Sequence, residues 1–314
     1  MPEVLCYGEP LIGFYPVVHT STDNFSLQIG GDTSNVALAI SKLGHSAGYV
    51  AKIGKDVFGD RIAGAWKEAG VNTDNVLYDP TRSTGVYFAL FNDAGKHRFV
   101  YKRADAPAAF YTSTEAEKVP LKGTKIFHTS GISQGISRCA MEASFSFMRK
   151  CKERGIKVSY DVNYRPSLWD IDHFRAIAWH TIREYADYVT LNNDEADALG
   201  LKGDEEGITR NLIDQGPEIV ALKLGEEGGV LSTRTESIKN KCYKIPVADT
   251  VGAGDGFTAA VLVGVLESLP IKKTLNLANA VAAMICRYAG STAGQPHREE
   301  VESFLGENEE AISS

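Results

Sequence analysis

"IKVSYDVNYRPSLWDIDHFRAIAWHTIREYADYVTLN", Ile156 to Asn192, places two apolar, strand-like runs on either side of a helical stretch. The first run ends at Asn163, a helix is expected from Asp172 to Glu184, and the second run covers Asp187 to Asn192. The same alternation continues in both directions. Upstream lie "KIFHTSG", Lys125 to Gly131, as a strand and a helix over Arg138 to Arg154. Downstream, after two short helices, comes the strand "EIVALKLG", Glu218 to Gly225. Nearer the start, Val36, Ala39, Ile40 and Leu43 have helical spacing between a Ser/Thr-rich entry and Gly44, so Thr33 to Leu43 reads as a capped helix. "AGYVAKIG", Ala47 to Gly54, is a strand, and Phe58, Ile62, Ala65 and Ala69 mark a helix closed by Gly70. After Gly252 the chain turns helical: Ala253 to Leu269, Lys273 to Ala289, and a short piece from Arg298 to Leu305. The expected fold is α/β, a doubly wound, mostly parallel sheet with helices on both faces.

One segment breaks the alternation. Residues 84 to 103, "TGVYFALFNDAGKHRFVYKR", alternate with period two around an Asn-Asp-Ala-Gly turn, which is a hairpin. With "LIGFYPV" and "FSLQIGG" near the start it can build a small antiparallel sheet that covers the strand ends as a lid. One domain over 1–314 is expected, with the lid drawn from about 11–31 and 84–104.

Composition narrows the function. A net charge of −7 with no Lys/Arg-rich run argues against a nucleic-acid surface, and no apolar run reaches membrane-spanning length. The N-terminus enters a strand-like run without the basic start of a secretory signal, so a cytoplasmic protein is expected. The five cysteines show no C-x-x-C spacing and read as reduced structural thiols, and the seven histidines form no zinc motif. An anionic ligand must therefore be held by local donors.

"DTVGAGDGF", Asp249 to Phe257, supplies such donors. Glycines 252, 254 and 256 leave backbone N–H groups uncovered where a helix begins, and the helix dipole adds positive potential there. An aspartate at that place, Asp255, cannot bind a phosphate, but it can accept a proton from an attacking hydroxyl. Amides beside a base are the parts that phosphoryl transfer requires. The plain structural alternative is that Asp255 is a helix-start carboxylate and the glycines allow tight packing. A dinucleotide fingerprint is disfavoured, since G-A-G-D-G lacks its spacing and lies late in the chain, and no Walker A pattern occurs.

"GGDTSNVALAISKLG", Gly30 to Gly44, followed later by "DTVGAGDGFTAAVL", Asp249 to Leu262, resembles the two signatures of the ribokinase-like (pfkB) family of carbohydrate kinases, and the similarity extends over nearly the whole chain. The resemblance implies that Asp255 deprotonates a sugar hydroxyl and that the amides of Gly252, Ala253 and Gly254 stabilise the transferring phosphoryl group. It implies that Gly30, Gly31, Asp32 and Asn35 face the sugar. "NNDE" is similar to the family's N-x-x-E, with Asn192 on the nucleotide side and Glu195 holding Mg²⁺ through water; a helix cap followed by a first-turn acid is the alternative. "KLGEEGG" resembles the nucleotide loop, which would put Lys223, Gly225 and Gly228 along the phosphates and ribose of ATP, and Asn279 matches a position near the adenine or ribose, or simply packs. A monovalent cation, K⁺, near Asp249 and the Gly290 to Gly294 turn stays open, and a homo-oligomer, a dimer through the lid or larger, is expected.

The acceptor is read from "DVNYRPSLW", Asp161 to Trp169, and the lid. Arg165 could pair with a substrate carboxylate, reach the ATP phosphates, or form a structural ion pair. Tyr87 lies on one lid strand, and Tyr101 and Arg103 share a face of the other. Within the family this set is most similar to 2-keto-3-deoxygluconate kinases, although Tyr101 is followed by Lys102 where that group often has a second tyrosine, and "ADAPAA" after Arg103 is similar to fructokinases. The expected activity is an ATP-dependent sugar kinase, with 2-keto-3-deoxygluconate first and fructose second. A sugar-binding regulatory homologue without activity is the non-enzyme alternative.

Overall fold

The computed structural model describes residues 1–16, 24–91 and 97–308. Its strands are β1 Val4–Tyr7, β2 Leu11–Pro16, β3 Phe25–Gly30, β4 Ala47–Gly54, β5 Asn72–Asp79, β6 Val86–Phe91, β7 His97–Lys102, β8 Ile126–Ser130, β9 Lys157–Asp161, β10 Tyr188–Asn192, β11 Ile219–Lys223, β12 Gly229–Thr233 and β13 Ser237–Asn240. The helices are α1 Asp32–Lys42, α2 Val57–Glu68, α3 Ser113–Lys118, α4 Gly131–Gly135, α5 Arg138–Arg154, α6 Ile171–Glu184, α7 Asn193–Ala198, α8 Glu205–Asp214, α9 Ala253–Leu266, α10 Ile271–Ile285 and α11 Arg298–Glu307.

Nine strands form the main sheet in the order β13-β12-β11-β10-β9-β8-β1-β4-β5. From β11 to β5 every neighbour is parallel, and β12 and β13 add an antiparallel edge. Strand β1 shows why the sequence reads as unbroken apolar runs. Its Val4 and Cys6 enter one core cluster with α1, α9 and α10, whereas Leu5 and Tyr7 enter another with Phe147 of α5. Successive side chains point to opposite faces, so a strand covered on both sides favours apolar residues at successive positions. The order of strands reverses around β1, between β4 and β8, and the crevice beyond the strand ends at such a point is where open α/β sheets bind ligands.

Helix α9 is apolar on all sides and is buried continuously from Gly256 to Gly264, as a helix wedged between a sheet and a second helix must be. It stops at Leu266, three residues short of the expected Leu269, because Ser268 takes φ 54 and Pro270 then begins α10 two residues early.

The lid is a second sheet in the order β3-β2-β6-β7. Its two hairpins, β2–β3 and β6–β7, are antiparallel, and they join through one parallel pair, Ile12 to Phe14 against Val86 to Phe88. Phe14 stacks on Phe88 at 4.8 Å and meets Phe58 of α2 edge-on at 5.9 Å, which ties the outer lid face to the body. The turn expected at Asn92 to Gly95 lies outside the described residues.

Candidate active site

A cavity of about 1510 Å³ opens between the lid and the C-terminal ends of the main-sheet strands. Strand ends and helix starts deliver its polar groups: Glu9 after β1, Asn163 just after β9, Asn192 ending β10, Lys223 ending β11, and the first turns of α1 and α9.

The three glycines at the start of α9 serve three different ends. Gly252 takes φ 82, and a Cβ there would lie 2.4 Å from the Ser291 carbonyl oxygen. Gly256 admits α10, since a Cβ would lie 2.2 Å from Ile285 Cδ1. Gly254 is unconstrained by packing; a Cβ would come no closer than 3.7 Å to Lys223, so that position is open to the cavity. No side chain caps the helix. The Ala253 N–H donates to the Thr250 carbonyl at 3.3 Å, which corrects the expectation of three free amides, whereas the N–H groups of Gly252 and Gly254 find no acceptor among the described residues.

Asp255 lies in that first turn, half-buried, and its Oδ2 accepts a 2.7 Å hydrogen bond from Asn35 Nδ2 of α1. Burial, helped by the nearby charge of Asp32, pushes its carboxyl up to about 7. Asp32 accepts from Asn163 Nδ2 at 2.9 Å, and its other oxygen, Oδ1, is buried without a partner. Burial raises its pKa too. Asn163 takes φ 35, a left-handed conformation that asparagine tolerates, and thereby aims its amide at Asp32.

Two of the three lid residues are held in packing. Tyr87 is buried, because Gly13 and Gly30 leave a slot for its ring: a Cβ at either would lie about 2.5 Å from the ring or its hydroxyl. Its hydroxyl pairs with that of Tyr15 at 2.9 Å. Arg103 does not stand free. Its guanidinium donates to Glu9 Oε2 at 2.8 Å in a pair whose side chains are 10% and 1% exposed, and it covers the Tyr101 ring at 4.2 Å. Burial pushes the Glu9 carboxyl up to about 7 against the pull of Arg103, and Glu9 Oε1 has no partner. Arg165, by contrast, is 44% exposed; it donates to the Tyr164 carbonyl and stands 3.9 Å from Glu195 Oε1. It lines the same cavity as Tyr101, Gly31 and Asp32.

On the other side, Asn192 and Glu195 form a capping box at the start of α7. Glu195 N–H donates to Asn192 Oδ1 at 2.9 Å, and Asn192 N–H donates to Glu195 Oε2 at 2.8 Å. The cap and the cavity wall are thus one structure, and Glu195 Oε1 remains directed at Arg165. Burial raises the Glu195 carboxyl above its usual range. One hard carboxylate oxygen suits a cation that keeps most of its water and takes further oxygens from a ligand, as Mg²⁺ does. Lys223 donates to both oxygens of Asp161, at 3.0 and 2.9 Å. Gly225 and Gly228 bound the short turn between β11 and β12 along the cavity. Asn279 lines it as well, but its Nδ2 bridges the carbonyls of Asn240 and Lys241, both at 3.3 Å, so it shapes the wall. Asp249 accepts from the N–H groups of Val251 and Gly290, which fastens the 290–294 turn to the start of α9.

The sequence reading missed Glu9, Asp161 and Asn163. Each sits where a strand leaves the sheet, in "GEP" after β1 and "DVN" after β9, and that position at the crevice was the available signal.

The pattern of the pfkB family carbohydrate kinases matches residues 1–298. A 2-dehydro-3-deoxygluconokinase of Bacillus subtilis (strain 168) is 30% identical over 311 residues, which cover 96% of this chain and 95% of that one. A probable chloroplastic fructokinase-6 of Arabidopsis thaliana is also 30% identical, over 97% of this chain and 82% of its own. Among solved structures, a fructokinase from Xylella fastidiosa with bound ATP superposes with a TM-score of 0.87 at 26% identity, over 98% of this chain and all of that one.

Proposed function

The chain belongs to the pfkB family of carbohydrate kinases, and from that premise we propose that it transfers the γ-phosphoryl group of ATP to a primary hydroxyl of 2-keto-3-deoxygluconate. The observation that carries the reading is Asp255 beside unpartnered helix-start amides in the wall of a cavity roofed by the lid. Asp255 accepts the proton as the sugar oxygen attacks phosphorus, the bond to the ADP oxygen breaks, and the amides of Gly252 and Gly254 with Lys223 balance charge on the moving phosphoryl group. Asn35 holds the carboxylate in place. When bound, Mg²⁺ would neutralise charge on the phosphates, and Glu195 would hold it through water. Gly225, Gly228, Asn192 and Asn279 shape the side of the cavity assigned to ATP.

Gly31, Asp32 and Tyr101 line the sugar end, with Gly30 behind them against the Tyr87 ring, and Arg165 offers an exposed guanidinium to a carboxylate. Tyr87, mostly buried, lines the same cavity while its hydroxyl pairs with that of Tyr15. A specific observation favours the second reading, a fructokinase: Glu9 already neutralises Arg103, which leaves less positive charge for an acid than two free arginines would give. A coupled ADP-release assay over sugars and sugar acids separates the two. We expect kcat/KM for 2-keto-3-deoxygluconate to exceed that for fructose by at least about tenfold; parity, or a preference for fructose, replaces the first reading with the second.

A further inference from the structure

Lys223 and Asp255 lie on different elements, yet a chain of hydrogen bonds joins their supports. Asp161, 2% exposed at the end of β9, accepts Lys223 Nζ on both oxygens, and its Oδ2 also accepts Thr258 Oγ1 at 3.0 Å. Thr258 sits on α9 one turn beyond Asp255, so its hydroxyl is fixed to the same helix that presents the carboxylate and the open amides. Thr190 of β10 lies 3.1 Å from that hydroxyl and closes the network below. The lysine stem runs past Gly254, with Cδ and Nζ about 3.7 Å from where a Cβ would stand.

A lysine side chain has four rotatable bonds and a point charge, and it does not choose a position without a counter-ion. Here the counter-ion is buried and is itself anchored to α9. We propose that Asp161 is a positioning residue for phosphoryl transfer: with Thr258 it fixes the Lys223 ammonium beside the open amide of Gly254, so that base, amides and cation keep one geometry. This rests on the reading of α9 as the phosphoryl site. Glu195, Asp255 and Arg165 are the other charged groups that share this part of the cavity, and none of them replaces the bidentate contact.

The test is a double-mutant cycle on the full chain with the best acceptor found in the panel. Asp161→Asn keeps the side-chain shape and removes the charge, and Lys223→Met removes the ammonium. We expect Asp161→Asn to lower kcat by about 10- to 100-fold with sugar KM within about threefold. In the Lys223→Met background the same change should cost less than about twofold, because the group it positions is gone. Thr258→Val, which leaves both charges, should lower kcat by a smaller factor, about 3- to 10-fold, and reports on the network if Asp161→Asn fails to fold. Equal losses from Asp161→Asn with and without Lys223, or a variant that lowers the melting temperature and leaves kcat unchanged, would overturn the proposal. A wild-type chain that phosphorylates nothing in the panel would instead overturn the kinase reading itself.

Discussion

Asn35 on α1 donates to the Asp255 carboxylate on α9 at 2.7 Å, across 220 residues of sequence. The two family signatures therefore meet at one hydrogen bond. If Asp255 is the base, Asp255→Asn should keep the fold and ATP binding while kcat falls at least about 10²-fold. Steady-state kinetics with isothermal titration of ATP checks both halves, and near-normal turnover rules the assignment out.

We expect the same carboxylate to set the pH profile. Only its ionised form accepts a proton, and burial places its pKa at about 7. We expect kcat/KM to fall about tenfold per pH unit below that value and to level above it. The stability runs the other way. Between the ordinary aspartate value and about 7 the folded chain binds more protons than the unfolded one, so this group lowers stability as pH rises through that window. Asp255→Asn should then melt higher than wild type at pH 8, with the difference gone below about pH 4. Thermal melts at the two pH values decide it.

Arg103 and Arg165 separate cleanly by mutation. Arg103→Ala leaves Glu9 buried without its counter-ion, a change that costs about 3–5 kcal/mol in such pairs. The loss should be smaller at pH 6 than at pH 8, because Glu9, already pushed up to about 7, can take a proton. Arg165→Ala touches an exposed side chain and should leave stability within about 0.5 kcal/mol. Denaturant titration of both variants at both pH values provides the comparison.

Arg165→Ala also tests the acceptor. Loss of a charge-assisted pair with a carboxylate, about 1.5–3 kcal/mol, should raise KM for 2-keto-3-deoxygluconate roughly 10- to 150-fold and leave fructose nearly unchanged. Equal effects on both would move Arg165 to the phosphates.

Sugar binding should slow amide exchange in β6 and β7 more than ATP alone does. Those strands touch the cavity through Tyr87, Phe99 and Tyr101, while on the other face Phe88 stacks on Phe14, which in turn meets Phe58. Exchange followed by mass spectrometry with each ligand in turn gives the answer, and equal protection by both would argue against closure.

The alternation of strands and helices was legible because strands such as β1 and β11 are buried on both faces and carry short, mostly apolar runs. The glycine-rich start of α9 was legible for a different reason: uncovered amides at a helix start have few other uses. The β12–β13 hairpin went unread, since "SIKN" on an edge has no apolar pattern to display. The Arg103–Glu9 and Lys223–Asp161 pairs, 94 and 62 residues apart, were out of reach because tertiary packing alone decides which charges meet. Burial of Tyr87 likewise depends on the absence of side chains at Gly13 and Gly30, distant from it in sequence.

The capping box at α7 ties the proposed cation holder, Glu195, to the scaffold. One oxygen of Glu195 closes the helix start and the other faces the cavity, so a single side chain answers to two selections at once. Glu195→Gln can still accept the Asn192 N–H and should spare the helix while weakening the hold on Mg²⁺; Glu195→Ala forfeits both, at about 1 kcal/mol for the cap alone. Added Mg²⁺ would then restore turnover to the first variant further than to the second. With Glu195 as the proposed cation holder, any exchange of that residue would have to keep a glutamate-sized acceptor to preserve the cap.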